Sequence, residues 1–194
     1  MKIQLLVLAI LLMPLFSIAQ TVPTGLQVND KSPDFTATDQ QGQKFNLFNE
    51  LKKGPVVLIF YRGQWCPYCT KQLKQLEDSL NFIKDKGAGL VAITPEIPEN
   101  ILRTVGKTKA TYPVLYDEGL KIMKHYDVAF PVDDKTVSRY LNYGINLAAA
   151  NGTNGTNLPV PAVYIINQKG IIASGYFDTG NKKRVSVQEI LSHL

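Results

Sequence analysis

The fold is decided within residues 55–69, whose sequence is Pro55-Val56-Val57-Leu58-Ile59-Phe60-Tyr61-Arg62-Gly63-Gln64-Trp65-Cys66-Pro67-Tyr68-Cys69. The apolar run over 56–60 has the length of a strand and the continuous hydrophobicity typical of a strand buried on both faces. After Cys66 the apolar residues recur at helical spacing, at Leu73, Leu76, Leu80 and Ile83. Both cysteines of the chain therefore lie where a buried strand gives way to an amphipathic helix.

The rest of the chain repeats this alternation. Apolar runs predict further strands at 90–94, 114–116 and 162–166, and helical spacing predicts helices at 97–105, 120–126 and 187–194. Turn residues predict two hairpins, at 35–47 and 162–177. Strands that alternate with helices in this way predict an α/β fold, a central mixed β-sheet flanked by helices.

The first nineteen residues have the pattern of a signal peptide. Lys2 precedes an apolar run from Leu5 to Phe16, and the small residues Ser17 and Ala19 stand three and one before the expected cleavage point. An uncleaved anchor is the alternative, although the run is shorter than the roughly 20 residues that a membrane span needs. We expect a mature chain that starts at Gln20, has no stable membrane insertion and is periplasmic or secreted.

Residues 20–194 are predicted to form a single domain, because their number suits one hydrophobic core. Residues 127–158 match no strand–helix unit and are interpreted as an insertion. Within it, Tyr140 and Tyr143 are expected to pack against the insertion itself, and the polar stretch 151–156 is expected to be a flexible loop. An insertion of this length beside a sheet often covers a functional site.

Charge and metal-ligand composition narrow the range of functions. The net charge is +5, but the basic residues are scattered, and we interpret the densest cluster, Lys182-Lys183-Arg184, as a solvated loop and not a nucleic-acid site. The histidines, His125 and His193, form no close-spaced pair with which the cysteines could share a zinc ion. We therefore expect no metal cofactor and no nucleic-acid partner.

The cysteine pair indicates redox chemistry. A disulfide between Cys66 and Cys69 would close a loop too small to stabilise the fold much. Unpaired N–H groups and the dipole at the helix start should lower the pKa of the Cys66 thiol, and Pro67 suits the first helical position. Cys69, one turn further in, should be more buried and less ionised and could resolve a mixed disulfide on Cys66. Half of a zinc site and a pair of inert buried thiols are the alternatives.

These residues resemble the thioredoxin superfamily and, within it, peroxiredoxin-like proteins of the AhpC/TSA (alkyl hydroperoxide reductase and thiol-specific antioxidant) group. The resemblance is carried by Pro33-Asp34-Phe35, by residues 60–69 and by Leu158-Pro159-Val160-Pro161-Ala162, and it extends over roughly residues 28–194. It implies a thioredoxin-like fold and an antioxidant enzyme with no cofactor beyond a redox-active Cys66–Cys69 disulfide. It also implies a cis peptide bond at Pro161, facing the dithiol, with the Val160 backbone free to pair with an incoming peptide.

The chain departs from the peroxiredoxin pattern at three positions. The alignment that the resemblance implies places the peroxidatic cysteine at Cys69, with Arg62 in place of a proline and Cys66 in place of a threonine. Pro161 stands where the family has its active-site arginine. In the family that arginine and threonine bind the peroxide and stabilise charge as its O–O bond breaks, so peroxide reduction is here the alternative to disulfide exchange.

Other side chains could complete the site. Arg62 could favour a thiolate through its charge, and Trp65, Pro67 and Tyr68 would form the shell around the sulfurs. Glu96 follows the predicted strand 90–94, and catalytic groups in α/β sheets gather at the carboxyl ends of strands, so it could pass protons.

The leading hypothesis is a thiol–disulfide oxidoreductase in which Cys66 attacks protein or small-molecule disulfides, Cys69 resolves, and a thiol donor supplies electrons. One alternative is a thiol-dependent peroxidase of hydroperoxides, with Cys69 peroxidatic and Cys66 resolving. The other is a binding module that holds Cu(I) through the two thiolates, which are soft ligands.

Overall fold

The computed structural model describes residues 22–194, so the predicted signal peptide and the start of the mature chain lie outside the described residues. The strands are β1 Thr36–Thr38, β2 Lys44–Asn46, β3 Val56–Phe60, β4 Gly89–Thr94, β5 Val114–Tyr116, β6 Ala129–Pro131, β7 Asn157–Pro159, β8 Ala162–Ile166 and β9 Ile172–Phe177. The helices are α1 Leu47–Leu51, α2 Pro67–Asp78, α3 Leu80–Asp85, α4 Pro98–Thr108, α5 Lys121–His125, α6 Asp134–Asn142, α7 Leu147–Asn151 and α8 Val187–Ser192. No helix within 22–194 is long and apolar enough to cross a membrane.

The central sheet has the order β5-β4-β3-β8-β9. β3 runs parallel to β4 and antiparallel to β8, and β9 returns antiparallel to β8, so the sheet is mixed. The predicted α/β fold with a mixed sheet is confirmed, and so are the two hairpins, β1–β2 and β8–β9.

Helices cover both faces of the sheet, which explains the unbroken apolar run of β3. Val57 and Ile59 point into a core that includes α2, α4 and α8. Leu58 and Phe60 point into a second core on the opposite face, which includes α1, α5 and Tyr126. All five residues of β3 are buried, because side chains of alternating direction find an apolar partner layer on each side.

The helix after the dithiol is broken once. Ser79 leaves the helical region at φ −109° and ψ 9°, and its N–H donates to the Gln75 carbonyl at the end of α2. The next helix keeps Leu80 and Ile83 buried, so the apolar face predicted from the sequence continues across the break.

The insertion is more ordered than its sequence predicts. β6 and β7 pair antiparallel, and α6, α7 and a 3-10 turn over Gly152–Asn154 lie between them. The expectation of a flexible loop at 151–156 is wrong. The Asn151 amide donates to two backbone carbonyls of the insertion, and the buried Asn154 amide donates to the carbonyls of Pro95 and Asp117. Buried amides that satisfy carbonyls hold such a segment in place, and polar composition does not reveal this.

Candidate active site

Four segments meet at one edge of the central sheet. Phe60, the last residue of β3, lies beside Ile93 of β4 and opposite Ala162 of β8. Ala162 in turn lies opposite Phe177, the last residue of β9. The chain therefore leaves β3, β4 and β9 and enters β8 at neighbouring points. The segment that follows β3 carries the dithiol.

The dithiol occupies the start of α2. Cys66 is the N-cap residue and Pro67 is the first helical residue, as predicted, while Cys69 lies in the first turn. Both cysteines are free thiols, and they are buried, with 1% and 0% of their surfaces exposed. Tyr68 between them is 47% exposed and faces solvent, so it lines the outer surface of the motif.

Arg184 reaches the dithiol from the loop after β9. Its Nη2 lies 3.4 Å from the Sγ of Cys69 and 4.0 Å from the Sγ of Cys66, and its side chain is only 11% exposed. The Asp178 carboxylate folds the loop back by accepting hydrogen bonds from the backbone N–H groups of Gly180, Lys182 and Lys183. The interpretation of this basic cluster as a solvated loop is therefore wrong for Arg184, because its guanidinium has a sulfur partner that is distant in sequence.

The structure reverses the predicted charges of the two thiols. The pKa of the Cys66 thiol is raised, mainly by the hydrogen bond between Cys66 and Cys69 and secondly by burial. The positive charge of Arg62 opposes this rise only in part. Burial also opposes ionisation of Cys69. The hydrogen bond from the Cys66 thiol, the charge of Arg184 and the backbone N–H of Arg62 outweigh that burial and lower the pKa of Cys69 to about 6. Cys69 is therefore the ionised sulfur, because a nearby guanidinium and a thiol donor act on it directly.

Arg62 joins the dithiol loop to the insertion. Its guanidinium lies 4.9 Å from the ring centroid of Trp65 and 5.7 Å from that of Tyr140, and its Nη2 donates a 2.6 Å hydrogen bond to the Tyr140 hydroxyl. The Trp65 and Tyr140 rings are also in contact, with centroids 5.1 Å apart. Tyr140 packs within the insertion as expected, but it also contacts the active-site loop, which the sequence did not predict.

Glu96 lies buried near the dithiol, following β4 as predicted. Its Oε2 accepts a 2.7 Å hydrogen bond from the Gln64 N–H, while Oε1 has no hydrogen-bond partner among the described residues. Burial raises the pKa of Glu96 to about 8 against the effect of the Gln64 N–H, and the charge of Cys69 raises it further. Gly63 permits this packing, since a Cβ there would lie 2.7 Å from Glu96 Oε1 and 2.5 Å from Trp65 Nε1. A carboxyl group that keeps its proton near neutral pH thus lies within electrostatic range of Cys69.

The segment before β8 differs from what the resemblance implied. No cis peptide bond occurs within 22–194, so the expectation of a cis bond at Pro161 is wrong. The Val160 N–H donates to the Val128 carbonyl at 2.8 Å, and the Pro161 carbonyl accepts from the Asp178 N–H at 3.1 Å. The Val160 N–H already has an acceptor within the chain, so it is not free for an incoming peptide. The trans form at Pro161 is the lower-energy default for a peptide bond before proline.

The described residues offer sulfur chemistry and no evident metal site. Residues 22–194 contain no group of three or more His, Cys, Asp or Glu side chains that could hold a metal ion.

Arg184 is a site residue that was not predicted from the sequence, although the predicted hairpin indicates where its loop lies. The predicted hairpin 162–177 returns the chain to the edge where β8 begins, so the residues after 177 had to lie near the dithiol.

Curated relatives include peroxiredoxins and a thiol-disulfide oxidoreductase. The chain is 30% identical over 156 residues to peroxiredoxin Q, chloroplastic, from Populus jackii, covering 80% of this chain and 62% of that protein. It is 31% identical over 104 residues to thiol-disulfide oxidoreductase ResA from Bacillus cereus, covering 53% of this chain and 59% of that protein. The chain spans about half of the length of two further peroxiredoxin Q proteins, 52% and 51%.

Solved structures confirm the thioredoxin-like fold. The peroxiredoxin 6 structure from Arenicola marina superposes with a TM-score of 0.68 at 18% identity, covering 86% of this chain and 71% of that one. The sequence model of the AhpC/TSA family matches residues 28–174, which include both cysteines, Glu96 and the insertion. The chain therefore belongs to the AhpC/TSA family.

Proposed function

We propose that the protein is a thiol-dependent peroxidase in which Cys69 attacks the peroxide and Cys66 resolves the product. One observation carries this proposal: the Arg184 Nη2 lies 3.4 Å from Cys69 Sγ, on the sulfur whose pKa is lowered to about 6. The thiolate is the nucleophilic form of cysteine. The structure thus favours the peroxidase over the thiol–disulfide oxidoreductase that was the leading hypothesis from the sequence.

In the first step the Cys69 thiolate attacks the terminal oxygen of a hydroperoxide. An S–O bond forms as the O–O bond breaks, so sulfur is oxidised to a sulfenic acid and the peroxide is reduced to an alcohol or water once its leaving oxygen takes a proton. Negative charge moves from the sulfur to the departing oxygen during this step. Arg184 is placed to stabilise that charge, in the role for which the family pattern has an arginine at the position of Pro161.

In the second step the Cys66 thiol attacks the Cys69 sulfenic sulfur. An S–S bond forms and the S–O bond breaks. The hydroxyl group takes a proton from the site and leaves as water, while the proton of the Cys66 thiol passes to the site. A thiol electron donor then reduces the Cys66–Cys69 disulfide to restore the dithiol. The redox-active disulfide is the only cofactor that this cycle requires.

Burial of the sulfurs also favours a small substrate. Cys66 and Cys69 are 1% and 0% exposed, so a protein disulfide could reach neither sulfur without displacing the side chains that cover them. A hydroperoxide group is small enough to enter a narrow opening. The reduced pair is therefore better matched to a small hydroperoxide than to a protein disulfide.

Thiol–disulfide exchange is the second candidate. Cys66 caps the start of α2 next to the exposed Tyr68, where a partner protein could approach the outer sulfur of the disulfide. The relative ResA is named a thiol-disulfide oxidoreductase, which fits this use of the pair.

Peroxide reactivity of the reduced wild-type protein tests the proposal. Trp65, the single tryptophan, lies beside the dithiol, so its fluorescence should report oxidation in a stopped-flow experiment. We expect oxidation by hydrogen peroxide or an organic hydroperoxide at least about a hundredfold faster than that of a free thiol at the same pH. A rate no better than that of the free thiol would exclude the peroxidase and favour disulfide exchange.

Glu96 is proposed as the proton donor for the second step, because its buried carboxyl, with a pKa of about 8, keeps its proton at neutral pH within electrostatic range of Cys69. Protonated Glu96 can supply the proton that leaves with water, so the rate of disulfide formation should fall as the pH rises through about 8. Changing Glu96 to Gln should slow this step by about tenfold or more and remove the inflection. Single-turnover kinetics at several pH values measures both; a Gln variant that keeps the inflection contradicts the role.

The localisation proposed is periplasmic or secreted. It rests on the signal-peptide pattern of residues 1–19. Export with a new N-terminus at Gln20, read from the protein recovered outside the cytoplasm, is the expected result, and an intact N-terminus would indicate the uncleaved anchor.

A further inference from the structure

A cavity of about 400 Å³ opens beside the dithiol loop. The insertion forms most of its wall, and the segment at Val22 and Pro23 and the loop at Thr179 and Asn181 close the rest. This volume lies within the range of small-molecule sites, about 300–1,000 Å³. The apolar part of its lining includes Phe130, Val132, Leu158 and Val160.

Arg62 supplies a cation to this apolar cavity and has no anionic partner. None of the ion pairs formed within 22–194 includes Arg62, whose recorded hydrogen bond goes to the neutral Tyr140 hydroxyl. Its Nε is buried and has no hydrogen-bond partner among the described residues. A guanidinium in a largely apolar wall with no carboxylate paired to it favours a ligand that brings a negative charge.

The other charged side chains that line the cavity, Asp133 and Arg139, have hydrogen-bond partners on helix α6. The Asp133 carboxylate accepts from the Thr136 N–H at the start of α6, and Arg139 donates to the Thr136 hydroxyl. Arg139 is exposed and has the Asp133 carboxylate within electrostatic reach, whereas Arg62 is the half-buried cation of this lining and has no ion pair among the described residues.

We propose that this cavity binds an organic molecule with an apolar body and a carboxylate, and that the Arg62 guanidinium binds the carboxylate. The inference rests on the proposed function, since it assigns the cavity to a reactant of the Cys66–Cys69 pair. The reactant has two candidate sources, a carboxylated hydroperoxide or a carboxylated thiol donor. The Arg62 guanidinium lies 4.9 Å from the ring centroid of Trp65, the residue before Cys66, so a ligand held there lies beside the dithiol loop.

Ligand binding without reaction is the first test. The Trp65 ring lies against the Arg62 guanidinium, so the fluorescence of this single tryptophan should report occupancy of the cavity. We expect hexanoate to give a saturable change, and 1-hexanol, which has the same chain without the charge, to bind at least about tenfold more weakly.

Variants assign the preference to one side chain. Arg62→Gln should weaken hexanoate binding by about tenfold or more and leave 1-hexanol binding within about twofold. Lys169→Gln removes the same charge from the exposed turn between β8 and β9, at the far end of the sheet, and should bind both probes as the wild type does. Equal binding of the two probes by the wild type, or no saturable binding of hexanoate, would overturn the proposal.

Reactive pairs then distinguish the two sources. A preference for 3-mercaptopropionate over 2-mercaptoethanol in reducing the Cys66–Cys69 disulfide, lost in Arg62→Gln, identifies the thiol donor. A preference for a carboxylated over a neutral alkyl hydroperoxide, lost in the same variant, identifies the oxidising substrate. No preference in either pair would overturn the assignment of the cavity to a reactant. Because hexanoate binding needs no peroxide chemistry, failure of this inference is distinguishable from failure of the peroxidase.

Discussion

Changing Cys69 to serine is expected to abolish peroxide reduction, lowering the second-order rate constant with hydrogen peroxide by more than about 10³-fold. The reason is the distribution of charge in the pair. With its pKa lowered to about 6, Cys69 is mainly thiolate at pH 7, whereas the pKa of Cys66 is raised. Removing Cys69 therefore removes the nucleophile, and burial still opposes ionisation of the Cys66 thiol that remains.

Changing Cys66 to serine is expected to give the opposite phenotype. Its hydroxyl can still donate a hydrogen bond to the Cys69 thiolate, so the first oxidation should proceed within about tenfold of the wild-type rate. The reaction should then stop at a sulfenic acid, because no resolving thiol remains. Mass spectrometry after trapping of the sulfenic acid with dimedone measures this: one adduct on Cys69 and no intramolecular disulfide.

The two serine variants also control for each other, since each removes one thiol and keeps an O–H group at the same position. Rapid oxidation of the Cys69→Ser protein together with an inert Cys66→Ser protein would assign the attack to Cys66. That result would restore the order of attack expected from the helix N-terminus and favour disulfide exchange as the function.

Changing Arg184 to glutamine is expected to raise the pKa of the Cys69 thiol by about 1 to 3 units, the usual effect of losing an opposite charge within 4 to 6 Å. The Nη2–Sγ distance of 3.4 Å places Arg184 inside that range, and its low exposure limits screening by solvent. The pKa of Cys69 should rise because the Arg184 cation favours the thiolate form, and its loss favours the protonated thiol. At pH 7 the thiolate fraction should fall, and peroxide oxidation should slow by at least about tenfold once lost stabilisation of the leaving oxygen is included.

Ultraviolet absorbance of the thiolate against pH measures this shift most directly, in a Cys66→Ser background where one thiol titrates. Lys183→Gln is the matched control: the neighbouring cation is exposed, and its backbone carbonyl, which accepts from Arg184 Nη1, stays in place. Arg184→Lys should recover part of the shift, since it restores the charge without the planar fork. An unchanged Cys69 pKa in Arg184→Gln would remove Arg184 from the site.

Comparison of particular elements shows what could be predicted. The strands β3, β5 and β8 lie within one residue of their predicted bounds, because apolar runs bounded by turn residues leave few alternatives. The prediction of a flexible loop at 151–156 was wrong because the order of this stretch is set by distant contacts and not by a local pattern. Its order depends on where the Asn151 and Asn154 amides find carbonyls, and two of those carbonyls lie at Pro95 and Asp117.

The residues of the site likewise divide into those that a local pattern predicts and those that distant contacts bring together. Cys66, Pro67 and Cys69 could be predicted because the motif lies within one helical turn, and Glu96 could be predicted because β4 is the parallel neighbour of β3. The contact of Arg184 with the Cys69 sulfur was not predicted. The hairpin indicates that the loop after residue 177 lies near the dithiol, but not which of its side chains reaches a sulfur 115 residues away in sequence. The ionisation of the pair was therefore assigned to the wrong cysteine.

The position of the dithiol, at the junction of a buried strand and a helix in an α/β protein, follows from the amino-acid sequence, because apolar periodicity and the four-residue motif are local properties. Which sulfur carries the charge depends on the folded chain. The pKa of a thiol depends on the charges and donors within a few ångströms, and the return of β9 to the edge of the sheet brings Arg184 there. A pattern of residue types contains the elements of such a site, but the distances between them exist only once the chain is folded.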